Sequence, residues 1–225
     1  MARVATTDRF DEQRSEMVET QLRARGIRDP RVLDAMSRVP REAFVPHDLA
    51  RVAYADQAVS VAGGQTISQP YVVALTLDAA RIGSEDVVLD VGTGTGYAAA
   101  VASLLAARVW SVERDVALAV AASERLRRLG FANVRVAVGD GSRGWPAHAP
   151  YRAIVAAAAG ADVPAAWVQQ AAIGGRIVAP LGPRDAQHLV RITRSATGIV
   201  RETLAPVRYV PLVAGDGTEE LVELP

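Results

Sequence analysis

The run Val87-Val88-Leu89-Asp90-Val91-Gly92-Thr93-Gly94-Thr95-Gly96-Tyr97 constrains this chain more than any other stretch. It opens as a short apolar segment, the pattern of a strand buried on both faces of a parallel sheet. It then passes through three glycines at alternate positions and enters a helical pattern. A strand that ends in a glycine-rich turn at a helix N-terminus lets a nucleotide-like ligand approach bare backbone.

The segments around this turn alternate in kind. Apolar runs at 86–91, 108–113, 134–138, 153–157 and 175–180 predict strands. Helical patterns at 96–106, 115–129 and 165–172 lie between them, with Gly130 placed to end the second. A further helix is predicted over 69–81. Such alternation specifies an α/β fold with a doubly wound, mostly parallel sheet, Rossmann-like in kind. Upstream, Phe10, Met17, Val18 and Leu22 predict an amphipathic helix over 8–25, closed by Gly26. Asp29-Pro30 opens a second helix with Val32, Leu33 and Met36 inward, stopped at Pro40. Residues 44–68 read as extended loop with a short strand or two. Residues 187–194 and 203–213 predict an antiparallel hairpin at the sheet edge. The acidic tail, 214–225, is expected to be loosely ordered. The organisation is therefore one domain over 1–225: an N-terminal elaboration (1–68), a core (69–213) and the tail.

Composition removes several chemistries. The 225 residues contain no cysteine, so disulfides, thiolate catalysis and zinc–sulfur sites are excluded. All 25 basic residues are arginine, which excludes Schiff-base chemistry and a phosphate-loop lysine. His47, His148 and His188 are scattered and show no metal-binding spacing. A formal net charge of zero gives no global attraction to nucleic acid or an anionic membrane. With no apolar run of membrane-spanning length and no signal-peptide pattern, the expectation is a cytoplasmic location; the chain is also expected to be a monomer.

The glycine turn separates two cofactor classes. A dinucleotide site needs G-x-G-x-x-G, and Tyr97 occupies the third glycine position. What stands here is D-x-G-x-G-x-G, with Asp90 at the strand end. S-adenosylmethionine carries an amino-acid moiety and no pyrophosphate, so an acid suits it there. Glu113 ends the second strand, where a carboxylate can accept from both ribose hydroxyls, although an N-cap for the next helix is the alternative. Asp140, in Gly139-Asp140-Gly141, can accept from an adenine amino group, although a plain turn is an equal reading. Together the three acids would track one ligand from amino acid through ribose to base. Transfer of its activated methyl to a carboxylate needs no base, only alignment and exclusion of water, and alignment can supply on the order of 7–11 kcal/mol.

The run Gly64-Gln65-Thr66-Ile67-Ser68-Gln69-Pro70-Tyr71 resembles the signature of the protein-L-isoaspartate O-methyltransferase family. Residues 17–46, Val88–Ala100, Gly139–Trp145, Gly174-Gly175-Arg176 and Val207–Leu212 match in the family's order, so the resemblance spans about 14–213. It implies methylation of the α-carboxylate of L-isoaspartyl residues in damaged proteins or peptides, with the ester closing to a succinimide. It implies S-adenosylmethionine as cofactor and no metal. Ser68 is then the active-site serine, orienting the acceptor carboxylate, unless it only N-caps the following helix; both can hold. The cofactor-binding set becomes Gln65, Thr66, Ile67, Ser68, Asp90, Gly92, Thr93, Gly94, Gly96, Glu113, Arg114, Asp140 and Gly141. Thr66, Ser68, Val210, Pro211 and Leu212 would contact substrate. Arg152 stands where the family has an acid, Ala157 where it has threonine, and 59–64 also departs. A relative that methylates aspartate in a dedicated natural-product precursor peptide, a nicotinamide dehydrogenase and a non-catalytic cofactor sensor are the competing readings.

Overall fold

The computed structural model describes residues 2–61, 65–215 and 221–225. Its centre is an eight-stranded sheet. Strands β3 (Val87–Val91), β4 (Arg108–Glu113), β5 (Val134–Val138) and β6 (Tyr151–Ala156) run parallel, with β7 (Ala171–Leu181) parallel to β6. With β8 (His188–Ser195), β9 (Gly198–Pro206) and β10 (Val222–Glu223), the order across the sheet is β10-β5-β4-β3-β6-β7-β8-β9. The chain therefore reverses direction of travel between β3 and β6, the switch point at which open α/β sheets hold ligands. Helices α3 (Pro70–Ala80), α4 (Tyr97–Ser103), α5 (Val116–Arg128) and α6 (Ala165–Gln170) flank it.

Side chains alternate across the strands and make two apolar layers. Val88, Val109, Val136, Val155 and Val178 belong to the layer that includes the N-terminal helices. Leu89, Val112, Ile154 and Ile177 belong to the other, with Trp145, Tyr151 and Trp167. Both layers exclude water, which is why these strands read as continuous apolar runs.

The N-terminal segment departs from one uniform helix. After α1 (Ala2–Glu16) the chain widens to a π-helix over Met17–Leu22, tightens to 3-10 over Arg23–Arg25, and ends at Gly26 with φ 94°. Met17 and Leu22 are five residues apart, close to the π repeat, and both are buried with Val18. Asp29 caps α2 (Pro30–Arg38) by accepting from Arg31 N, as its sequence predicts. Two short strands, β1 (Val59–Ser60) and β2 (Thr66–Ile67), form an antiparallel pair in the irregular segment. Residues 62–64, part of the departure from the family pattern, lie outside the described residues.

The C-terminal hairpin is shifted from its expected place. Strand β8 (His188–Ser195) turns through Ala196-Thr197 into β9 (Gly198–Pro206), so β9 begins five residues before the predicted start and leaves the sheet at 206. Its residues are mostly exposed on an edge, which hides the alternation. The predicted helices 96–106 and 165–172 are shorter, and β7 begins at Ala171 because that residue pairs with Tyr151. The tail contributes β10 (Val222–Glu223), antiparallel to β5, and is ordered there by the sheet edge.

Candidate active site

The glycine turn lies at the carboxyl end of β3. Gly92, Gly94 and Gly96 all have positive φ (88°, 53° and 90°), conformations that L side chains resist. The turn is pinned to β4, where Gly92 N donates to Val112 O at 2.9 Å, and is closed by Gly96 N donating to Thr93 O at 2.8 Å. Gly96 precedes α4 and packs on Leu126, so it shapes the turn from behind.

Sheet register sets Asp90 opposite Ser111. Ser111 Oγ donates to Asp90 Oδ2 at 2.6 Å. The one hydroxyl proton of Ser111 is then committed, so Thr93 Oγ1, 2.5 Å away, is the donor in their contact. Asp90 is 1 % exposed. Burial pushes its carboxyl up to about 6, the Glu113 charge adds to this, and the Ser111 hydrogen bond opposes it. Asp90 faces an inner chamber shared with Ser68, Thr76, Ala157 and Tyr209. Thr93 is buried in the same hydrogen-bonded chain, behind the turn.

Glu113 ends β4 at the opening of the crevice. Its Oε2 accepts from Gly94 N at 2.8 Å and its Oε1 from Asp115 N at 3.1 Å. It is not the helix cap: Asp115 takes that role by accepting from Leu118 N. Arg114 and Gly141 line the crevice beside it. A Cβ on Gly141 would come within 2.5 Å of Val91 Cγ1, so the bare backbone there keeps the floor open. Asp140 turns elsewhere. Its carboxylate accepts from Ser142 N at 2.9 Å and Gly215 N at 3.2 Å, and faces a hollow with Trp145 and Leu221. Burial works against its charge, but the hydrogen bonds from Ser142 and Gly215 outweigh this and hold the carboxyl below its ordinary value.

The opposite wall comes from 65–68 and 209–213. Gln65, Thr66, Ser68, Val210, Pro211 and Leu212 line the same crevice, an empty space of about 740 Å³ including its mouth. Ile67 is the exception, its side chain buried in the core. Gln69 occupies the N-cap position of α3 with no side-chain cap bond, so Ser68 does not cap the helix. Its carbonyl instead accepts from Arg41 Nη2 at 2.7 Å. Residues 210–212 are held by Ala159, which donates to Val210 O and accepts from Leu212 N, both at 2.8 Å.

Three residues escaped the sequence reading. Tyr209 shares with Ser68 the lining of the main crevice, the inner chamber and an outer groove. Gln187 is 5 % exposed and holds Tyr209 by its backbone. Arg41 lies wholly buried beneath Ser68. Tyr209 lies within the Val207–Leu212 match, but Arg41 beside Glu42 and Gln187 between Asp185 and His188 stand in polar stretches that carry no sequence signal of burial. Of the departures, Ala157 lines the crevice, and a Cβ on Gly92 would stand 3.5 Å from its own Cβ. Arg152 lies at the start of β6, bonded to Ile173 O, at the far end of the strand.

No histidine lines the crevice, so the serine–histidine pairing that makes a serine nucleophilic is not found there. His148 stacks on Trp110 with ring centroids 3.3 Å apart instead. Tyr97, at the failed third-glycine position, is buried away from the crevice against Phe44 and does not obstruct it. Carboxylates, bare backbone and the hydroxyl-bearing side chains of Thr66, Ser68 and Tyr209 suit binding and alignment. Among the described residues, no helix is long and apolar enough to cross a membrane.

A family model described as protein-L-isoaspartate(D-aspartate) O-methyltransferase (PCMT) matches residues 12–217. Protein-L-isoaspartate O-methyltransferase 1 of Rhodopseudomonas palustris (strain HaA2) is 50% identical over 210 residues, covering 92% of this chain and 86% of that protein. The namesake of Protochlamydia amoebophila is 49% identical, covering 89% of this chain and 97% of its own. A solved protein-L-isoaspartate O-methyltransferase superimposes with a TM-score of 0.78 at 28% identity, covering 90% of this chain and 66% of that one. A Plasmodium falciparum structure described as a complex with S-adenosyl-L-homocysteine has the same fold, with a TM-score of 0.77 at 24% identity.

Proposed function

This chain belongs to the protein-L-isoaspartate(D-aspartate) O-methyltransferase family, and on that premise we propose how its crevice performs the family's reaction. The enzyme transfers a methyl group from S-adenosylmethionine to the α-carboxylate of an L-isoaspartyl residue in a damaged protein or peptide. The resulting ester closes to a succinimide whose hydrolysis returns part of the material to normal aspartate. Identity near one half over most of the chain favours this acceptor over aspartate in a dedicated precursor peptide.

The observation that carries the reading is that Glu113, the glycine turn, Ser68 and 210–212 line one crevice at the switch point. The cofactor supplies a sulfonium-activated methyl group. Glu113 is placed to accept from ribose hydroxyls with the lone pairs that Gly94 N and Asp115 N leave free. Asp90 supplies negative charge behind the turn, where a cationic amino-acid moiety would lie. Gly92, Gly94 and Gly141 let ligand atoms approach the main chain. The Ser68 hydroxyl donates to the acceptor carboxylate and fixes its direction. The wall at 209–212 positions the substrate main chain and excludes water. Carboxylate and sulfonium neutralise one another as the bond forms, so no residue takes up a proton and none is needed as a base. We further read the whole chain as one catalytic unit, a cytoplasmic monomer, with a net charge of zero giving no pull toward nucleic acid or membrane.

The deciding experiment offers labelled S-adenosylmethionine with matched isoaspartyl and aspartyl peptides. Label should enter the isoaspartyl peptide and leave its twin bare. Preferential labelling of the aspartyl twin would remove this reading.

A further inference from the structure

Arg41 is 0 % exposed, and its charge has no carboxylate partner among the described residues. Nε donates to Ala53 O at 2.6 Å, Nη2 donates to Ser68 O at 2.7 Å, and Nη1 is buried without a hydrogen bond. The guanidinium lies over the Tyr97 ring, 4.7 Å from its centroid. A buried cation held by carbonyls and a ring face is costly to keep, and packing alone would be served better by an apolar side chain. Burial lowers its pKa from the ordinary arginine value, with Tyr97 and Tyr54 opposing.

Through Nη2 the guanidinium is seated against the Ser68 main chain. In the proposed reaction the acceptor brings a negative charge to Ser68. We propose that Arg41 is a positioning residue that anchors the Ser68 main chain and supplies, from inside the protein, the positive charge that selects an anionic acceptor. The inference rests on the reading of the site above, and it adds the group that distinguishes a carboxylate from a neutral isostere. Exposed arginines cannot do this as well. Arg208 lies on the outer groove in water, where its field is weakened by solvent and salt. A buried charge keeps its reach.

The test is a binding measurement with the complete chain. S-adenosylhomocysteine is held saturating, so nothing turns over. The titrants are an isoaspartyl peptide and its twin carrying a carboxamide in place of the free carboxylate. Wild type should prefer the carboxylate by on the order of tenfold, as expected for one unit charge several ångström away in a protein interior. Arg41→Met and Arg41→Gln should lose that preference, and Arg41→Lys should keep most of it. A merely structural role would weaken both peptides alike and leave their ratio unchanged. An unchanged ratio in the neutral variants, or its loss in Arg41→Lys, overturns the proposal. Should the neutral variants not fold, the wild-type ratio decides. It must survive about 0.5 M salt, where exposed charges are screened within a few ångström, and its collapse there assigns selectivity to the surface instead. Failure of the function itself looks different: wild type would methylate no isoaspartyl peptide.

Discussion

Gln187 grips both main-chain polar atoms of one residue, Tyr209. Tyr209 N donates to Gln187 Oε1 at 2.6 Å, and Gln187 Nε2 donates to Tyr209 O at 3.2 Å. A side chain here completes a backbone ladder, since Val207 N also donates to Gln187 O at 3.0 Å. The last segment of the crevice wall is thereby fixed just where the chain has left the sheet.

Gln187→Leu should therefore act on the acceptor side. It leaves two part-buried backbone groups unpaired, a loss of about 1–3 kcal/mol for each one that water does not reach. Peptide KM should rise severalfold while affinity for S-adenosylhomocysteine stays within about twofold. Calorimetry with the cofactor product and steady-state kinetics with the peptide check the split. Equal loss of both affinities would show that the clamp supports the entire fold.

Ser68→Ala is expected to lower kcat more than cofactor affinity, because the hydroxyl contact is made to the acceptor as it is methylated. If cofactor affinity fell while turnover survived, Ser68 would be a cofactor contact only.

Glu113→Ala should weaken cofactor binding by roughly 1–3 kcal/mol, the range for a hydrogen bond to a charged group. The carboxylate also receives Gly94 N and Asp115 N, so the turn loosens as well. Glu113→Gln retains one acceptor and should fall between the two. An unchanged dissociation constant in the alanine variant would end the ribose assignment.

Asp90 gives a pH dependence with a definite sign. Its folded pKa is raised from 3.8 to about 6, so the folded protein holds this proton more tightly than the unfolded chain. The stability it contributes is full below 3.8 and is lost as pH rises through about 6. Asp90→Asn removes that loss, so its Tm advantage over wild type should be larger at about pH 7.5 than at about pH 4. A bound cation favours the ionised form, so cofactor affinity in wild type should climb with pH by up to about tenfold per unit below the transition and then level. The variant should show a flat profile.

Gly141→Ala should destabilise by about 1–3 kcal/mol, the usual cost of overpacking. The clash is with Val91 Cγ1 at 2.5 Å. Adding Val91→Ala should recover much of the loss. A double-mutant cycle in urea measures the coupling, and additive effects would place the strain elsewhere.

The parts of the site that could be read from sequence are those encoded locally. Asp90, the glycines and Glu113 stand at strand ends, and period and turn chemistry locate strand ends well. Asp115 as the true cap of α5 shows the limit of such reading: two acids lay within reach of one helix start, and only geometry chose between them. The rest depended on contacts between distant, irregular segments. Arg41 reaches Ser68 across 27 residues, and Gly215 turns the Asp140 carboxylate from 75 residues away. No periodicity announces such pairs. The early start of β9 was concealed for a related reason, since an exposed edge strand imposes little pattern on its residues.

Tyr97 limits how the coenzyme turn could be rewritten. It fills the place where a dinucleotide binder carries glycine, and it is also a fastening point for the N-terminal elaboration, set edge-on to Phe44 at 5.5 Å with its hydroxyl toward Met36 Sδ. One position thus records two decisions, the kind of coenzyme admitted and the docking of the added segment. Writing glycine there would not yield a dehydrogenase. It would unfasten the segment that delivers Arg41 to the back of Ser68.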